Sequence, residues 1–389
     1  MKNFLSGAEN SVFNALQTLT ASDIGNNEFF GTTVAASYDG STLVVTQQGA
    51  SGVYFFARSG ATWSEQQKIT PSGTPLLDSV AVSYDGNTVV AGASEDDVSP
   101  YTDNGSAYVY TRSGSTWTLQ QKLNASDIQN SAEFGFSVAI SADGNTVIVG
   151  ARYQDESPFT GNGAAYVFTR SGSTWTEQQK LLASDLDDGD SFGTSVSLSA
   201  NGDTALIGAR SNGDGASYVF TRSGSTWTEQ QKLTASAGAY TTDNFGDSVS
   251  LSANGNQALI GSPGDSDGAF SSNGAVYYFT RTGSTWSQIQ RFTEPTQRTF
   301  GLFGRPVNIS EDGSTAAVVA TGFINPGYAY IFSNINGSWS LGQSLDPSGL
   351  NTIVATAALS YDGNIAIVGD QAADTSPYSN NGEVYVFGT

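Results

Sequence analysis

The sequence predicts an all-β fold: a closed ring of seven blades, each a four-stranded antiparallel meander. Three observations carry that prediction. A short apolar run ends in an Asp-Gly or Asn-Gly turn and starts again seven times, at Asp39-Gly40, Asp85-Gly86, Asp143-Gly144, Asn201-Gly202, Asn254-Gly255, Asp312-Gly313 and Asp362-Gly363. Between these turns a second hairpin recurs, and its fullest spelling is identical at Tyr166–Leu181 and Tyr218–Leu233. The repeat is about fifty residues long, has two hairpins per copy and runs from end to end, which is the sequence pattern of radially arranged blades.

The copy from Gly193 to Leu233 justifies each element in turn. Its innermost strand, A, is Ser195–Ser199, alternating small polar and apolar residues as a strand beside a narrow channel requires. Asn201 and Gly202 tolerate the positive φ of a tight hairpin, so strand B follows at Thr204–Ala209. A loop leads to strand C, Ala216–Thr221, whose aromatic and β-branched residues suit a buried strand. The turn at 222–225 then delivers the outermost strand, D, Trp227–Leu233.

The count closes the ring. Tryptophans begin the D strands at 63, 117, 175, 227, 286 and 339, six for seven A–B turns. The missing outer strand lies at the other end of the chain, because Phe13–Asp23 aligns with Trp175–Asp185, with Phe13 in the tryptophan place. The last strand, Glu383–Phe387, is a strand C with no D after it. The N-terminal strand is therefore expected to pair with the C-terminal one, since two bare sheet edges would invite aggregation. Residues 1–12 are left as a tail, a candidate attachment segment, and residues 13–389 form the propeller.

Composition excludes several functions. The 389 residues contain no cysteine and no histidine, so disulfides are impossible and both the commonest general base and the commonest zinc ligand are missing. Any metal must be a hard cation held by oxygen. With 36 acidic against 15 basic residues, the net charge is −21. Such a chain repels nucleic acid and anionic lipid. No apolar stretch approaches membrane-spanning length, and the N-terminus is too short and polar for a signal peptide.

Phe-Gly precedes most A strands, at Phe30-Gly31, Phe134-Gly135, Phe192-Gly193, Phe245-Gly246 and Phe303-Gly304. Gly-Ala or a near equivalent closes most B strands, at Gly92-Ala93, Gly150-Ala151, Gly208-Ala209 and Gly261-Ser262. This pattern resembles the FG-GAP repeat, the blade unit of integrin α-subunit propellers, and the resemblance covers the chain from Phe13 onward. Leu77-Asp78 and Val354-Ala355 stand where two Phe-Gly pairs belong. The resemblance implies surface recognition or adhesion. It also implies a calcium loop at the A–B turn, but here that turn is too short to wrap a cation.

In such a meander the B–C and D–A loops emerge on one face, and the A–B and C–D turns on the other. The loop face collects most of the acids, while Arg58, Arg112, Arg170, Arg222 and Arg281 recur at the C–D turn. One strongly anionic face and one mixed face are expected. The densest cluster is Asp185, Asp187, Asp188 and Asp190, with Asp243 and Asp247 in the next D–A loop. Its spacing matches neither an EF-hand nor an integrin loop, so two readings stand: a solvated acidic loop and a Ca2+ site. Long B–C loops repeat Ser-Pro-aromatic at Tyr101, Phe159 and Tyr378. With Asp103 and Asp155 nearby, these rings are candidates for stacking on sugar faces; the alternative is that they pin each loop to its blade.

The acids recur by repeat and no single acid/base pair stands out, so the chain is expected to be non-enzymatic. The leading expectation is a recognition or adhesion module that binds a cell-surface glycan or protein through the acidic loop face, extracellular or carried on a virion or similar particle. The alternatives are a structural scaffold or decoration protein without a small ligand, and a carboxylate-based glycosidase or lyase.

Overall fold

The computed structural model describes residues 12–49, 51–73, 75–236, 243–322, 327–345 and 354–389. The expected tail lies outside these residues except for Val12. Among the described residues there are seven sheets, each a four-stranded antiparallel meander, numbered as blades 1 to 7 by the chain order of their A strands, which begin at Phe30, Ser79, Phe134, Phe192, Ser248, Phe303 and Val354. In blade 4 the strands are Phe192–Leu198, Thr204–Ala209, Ala216–Ser223 and Thr226–Leu233, so strand A begins three residues earlier than the alternation suggested. The reason is a bulge between Phe192 and Ser195, which turns the Phe side chain into the core while the strand continues.

Phe-Gly is a packing device, and each half has a separate cause. Phe192 is fully buried and meets Tyr218 and Phe220 edge-on, with ring centroids 5.5 and 6.1 Å away. Gly193 has φ +91°, and a Cβ there would lie 2.4 Å from the Ala164 carbonyl of the preceding blade. Only glycine allows the blades to approach that closely. Leu77 and Val354 fill the Phe place in the two departing blades and are equally buried.

The ring closes as the count requires. Strand Asn14–Leu19 pairs antiparallel with Glu383–Gly388, completing a seventh sheet with Val354–Leu359 and Ile365–Asp370. Phe13 is buried among Leu345, Val354, Tyr385 and Phe387. Its backbone is gripped at both ends by one side chain: Phe13 N–H donates to Gln343 Oε1 at 2.9 Å, and Gln343 Nε2 donates to Phe13 O at 2.8 Å. The same two-bond clamp joins Gln17 to Trp63, Gln67 to Trp117, Gln121 to Trp175, Gln179 to Trp227, Gln231 to Trp286 and Gln290 to Trp339. A glutamine of each outer strand thus holds the outer strand of the next blade, all the way around.

A second, inner circle runs through the A–B turns. Backbone N–H groups donate to the next turn's carbonyl in sequence, Tyr38 to Tyr84, Tyr84 to Ala142, Ala142 to Ala200, Ala200 to Ala253, Ala253 to Glu311 and Glu311 to Tyr361. Asp362 N–H to Tyr38 O, at 3.0 Å, completes it. Inside this circle Tyr84 stacks obliquely on Tyr361 from the far side of blade 1, with centroids 4.1 Å apart, and on Tyr38 at 5.5 Å. Tyr361 Oη also donates to Val82 O. These rings cluster at the turn end of the propeller, and Tyr361 lines the central channel. Above them the channel is a narrow space of about 160 Å3, walled by mostly apolar mid-strand residues such as Val34, Val138 and Leu251.

Candidate functional site

The A strands run from the loop face to the turn face, so their first residues form the mouth of the channel. That mouth widens into a funnel of about 380 Å3, lined by Thr32, Thr33, Asp78, Phe136, Thr194, Arg210, Asp247, Ser248, Arg305, Pro306, Thr356 and Gln371. The channel below is narrow, with Tyr361 in its lining, so the wider space for a ligand is on the loop face.

The funnel breaks the sevenfold repeat. The residue just before the hydroxyl residue of strand A is Thr32 in blade 1, Asp78 in blade 2, Phe136 in blade 3, Thr194 in blade 4 and Asp247 in blade 5; Arg305 stands there in blade 6. The residue that leaves strand B varies as well, with Arg152 in blade 3, Arg210 in blade 4 and Gln371 in blade 7. Asp247 is almost completely buried and lies between two guanidinium groups, Arg210 Nη1 at 3.1 Å and Arg305 Nε at 3.3 Å. Arg152 is stacked on the Phe136 ring at 3.5 Å and held by Glu133 at 2.6 Å. On the opposite wall, burial raises the Asp78 carboxyl above its usual range, opposed by hydrogen bonds from Ser94 N and Oγ and by the charge of Arg152.

Every other described cation serves the repeat. Arg58, Arg112, Arg170, Arg222 and Arg281 lie 4.7–5.4 Å over the tryptophan that follows each of them. Lys68, Lys122, Lys180, Lys232, Arg291 and Arg298 each pair with an acid that also accepts the hydroxyl of the same blade's strand C tyrosine. The seventh blade keeps the tyrosine and acid alone, Tyr385 with Glu383. Arg152, Arg210 and Arg305 belong to neither set: Arg210 and Arg305 line the funnel, and Arg152 lies over its Phe136.

The acids singled out in the sequence are distributed differently. Asp185 pairs with Lys232 and accepts from Tyr218 Oη, a structural role it shares with Asp23 and Asp127. Asp188 accepts from Thr160 N, where Asn130 serves Thr102 and Asn26 serves Ser379. Asp190 is buried and accepts from Asp187 N and Asn212 Nδ2, and Asp187 accepts from Asp188 N. The four carboxylates point to four separate tasks, and neutral asparagine does the work of one of them elsewhere. Among the described residues no group of three or more metal-ligating side chains is placed to hold an ion. Asp247 belongs to the funnel instead.

The loop aromatics lie outside the funnel. Tyr101 is exposed, whereas Phe159 and Tyr378 are half-buried. Tyr101 and Phe159 stand on neighbouring blades 2 and 3, while blade 1 separates Tyr378 from them. Asp155 shapes its loop by accepting from Gly161 N, as Asp97 does for Asp103 N and Asp374 for Asn380 N. Asp103 is exposed at φ +49°. These loops are also welded to the next blade, for example through Ser131 N to Thr102 O and Ser191 N to Gly161 O.

Apart from Asp247, the funnel residues were not singled out in the sequence because they fit no motif. The available signal was negative: aligned repeat by repeat, they are the positions where chemistry changes while their neighbours hold.

The FG-GAP repeat family matches the chain at residues 63–110, 117–168, 175–220 and 227–279, together about half of it. Each match starts at the tryptophan of one blade's outer strand and ends in strand C of the next, one strand out of phase with the sheets. No curated protein shows significant similarity to the chain.

Proposed function

The chain belongs to the FG-GAP repeat family, and from that footing we propose that it is a recognition module taking its ligand, a glycan or a protein, into the funnel at the centre of its loop face. FG-GAP propellers are commonly non-enzymatic interaction modules. One observation carries the reading: in a chain of net charge −21, two of the three described cations without a repeat role, Arg210 and Arg305, line this one opening, and the third, Arg152, lies over the Phe136 ring that lines it. Both funnel carboxylates are already engaged, Asp247 by two arginines and Asp78 by Ser94, which supports binding over acid/base catalysis. An extracellular or particle-borne setting, virion included, suits such a module. Among the described residues no helix is long and apolar enough to cross a membrane.

The test is a screen of glycans and intact cells with the purified chain and with Gln371→Trp, which fills the funnel from blade 7, each in calcium and in EDTA. Selective binding lost in Q371W and indifferent to EDTA is the expected result. Binding that survives Q371W moves the site to the rim around Tyr101. Loss in EDTA restores the Asp185–Asp190 loop as a Ca2+ site. No binding at all leaves the scaffold reading.

A further inference from the structure

We propose that the funnel grips the terminal residue of a monoanionic saccharide, one bearing a carboxylate or a sulfate ester, through Arg210 and Arg305. This rests on the reading of the funnel as the ligand site and names what enters it. Three observations converge on that chemistry. Two guanidinium groups share one carboxylate, so the blade 4 to blade 6 wall retains a surplus of one positive charge. Both line the funnel, Arg305 half exposed and Arg210 24% exposed, and among the described residues the one ion pair that each makes is to Asp247, which leaves further N–H donors for a ligand. A guanidinium presents those donors in a planar fork matched to two oxygens of one anionic group.

The rest of the lining holds one further carboxylate, Asp78 on the opposite wall, hydrogen-bonded by Ser94, and is otherwise dense in hydrogen-bonding groups without charge, among them Thr32, Thr33, Thr356 and Gln371, with the Phe136 ring on one side. Hydroxyl and amide walls beside one aromatic face complement a pyranose, whose rim is hydroxylated and whose face is apolar. A volume near 380 Å3 falls within small-ligand pockets, roughly 300–1,000 Å3. The channel beneath is narrow, about 160 Å3 against about 380 Å3 for the funnel, which favours a ligand that presents an end.

The experiment titrates the full chain by calorimetry with sialyllactose, a disaccharide ending in a single glucuronate and a disaccharide ending in a single galactose 6-sulfate, each beside its neutral counterpart. Arg210→Gln, Arg305→Gln and Q371W are run in parallel, with urea midpoints as the folding control. The expected result is binding of at least one charged saccharide and at least about tenfold weaker binding of its neutral partner. Each Arg→Gln change should lose about tenfold toward the charged form only, and Q371W should abolish both. Whether the carboxylated or the sulfated arm binds identifies the group. Equal binding of charged and neutral forms, indifference to both Arg→Gln changes, or no saccharide binding at millimolar concentration overturns the inference. A protein ligand blocked by Q371W but not by R210Q or R305Q would leave the funnel as the site and sink only its assignment to a charged sugar.

Discussion

Phe13→Ala tests the ring closure most directly, because this side chain matters only if the two ends of the chain meet. Phe13 is 3% exposed, against Leu345, Val354, Tyr385 and Phe387, all contributed by the far end of the sequence. Truncating a buried Phe to Ala costs about 3–5 kcal/mol, the lost transfer energy plus the cavity left behind. Set against a total stability of about 5–15 kcal/mol for a typical domain, that loss is severe. It also loosens strand Asn14–Leu19 and bares the Glu383–Gly388 edge, so association that rises with concentration should accompany it. Urea unfolding and light scattering measure both effects. Leu119→Ala on the exposed outer surface of blade 2 is the control and should stay within about 0.5 kcal/mol of the parent. A neutral F13A with an unchanged monomer would refute the closure argument, since an unpaired N-terminus would leave Phe13 in water.

Gly193→Ala should destabilise far more than Gly172→Ala. Both have positive φ, but a Cβ at 193 meets the Ala164 carbonyl at 2.4 Å whereas one at 172 meets nothing within 4 Å. The expected costs are well above about 2 kcal/mol and near about 1 kcal/mol, read from urea midpoints. Acid should weaken the fold through Asp23, Asp127 and Asp185. Burial works to raise each carboxyl, but the lysine and tyrosine that bind it prevail and hold it below the ordinary value. A carboxylate depressed in the folded state contributes stability that is complete above its unfolded pKa of about 3.9 and is lost as pH falls through the folded value. Urea midpoints should therefore fall steeply below about pH 4, and Asp185→Asn should be less stable at neutral pH yet lose less on acidification. A D185N profile parallel to the parent's would remove Asp185 from the acid response.

The architecture was legible because it is written locally and repeatedly. Asn201-Gly202 dictates a hairpin wherever it falls, and Phe13 could be assigned to the tryptophan place because the residues after it, through Asp23, spell the same outer strand. The inter-blade clamps were not legible, although their glutamines were in plain view. Gln179 sits in a polar outer strand and reads as solvent-facing until the next blade's Trp227 backbone is set beside it. The partners of the acids were not legible for a related reason. Asp185 to Asp190 look like one cluster along the chain, but the turn spreads them toward Lys232, Asn212 and Thr160, partners 20 or more residues away. Proximity in sequence is a poor guide to ligand sets in a loop, since each carboxylate takes the nearest donor that the fold supplies.

The funnel was hidden by the same regularity that revealed the ring. A repeat supplies seven copies of any interaction, so whatever holds the blades together appears seven times: the glutamine clamps, the turn circle and the buried tyrosine hydroxyls bound by acids. Recognition of an asymmetric ligand cannot be sevenfold and must sit where one blade differs from the next. Arg210, Asp247 and Arg305 come from three successive blades at positions free of those tasks, so they could diverge without breaking the ring. Under the proposal, their setting also bears on which ligand they would select. The surrounding loop face is acidic, and at physiological salt a charge is felt over only about 8–10 Å. A polyanion such as nucleic acid would feel the repulsive rim along its whole length before any part of it reached the arginines. A ligand carrying a single negative charge at its tip meets that rim with its neutral body and the funnel with its charge.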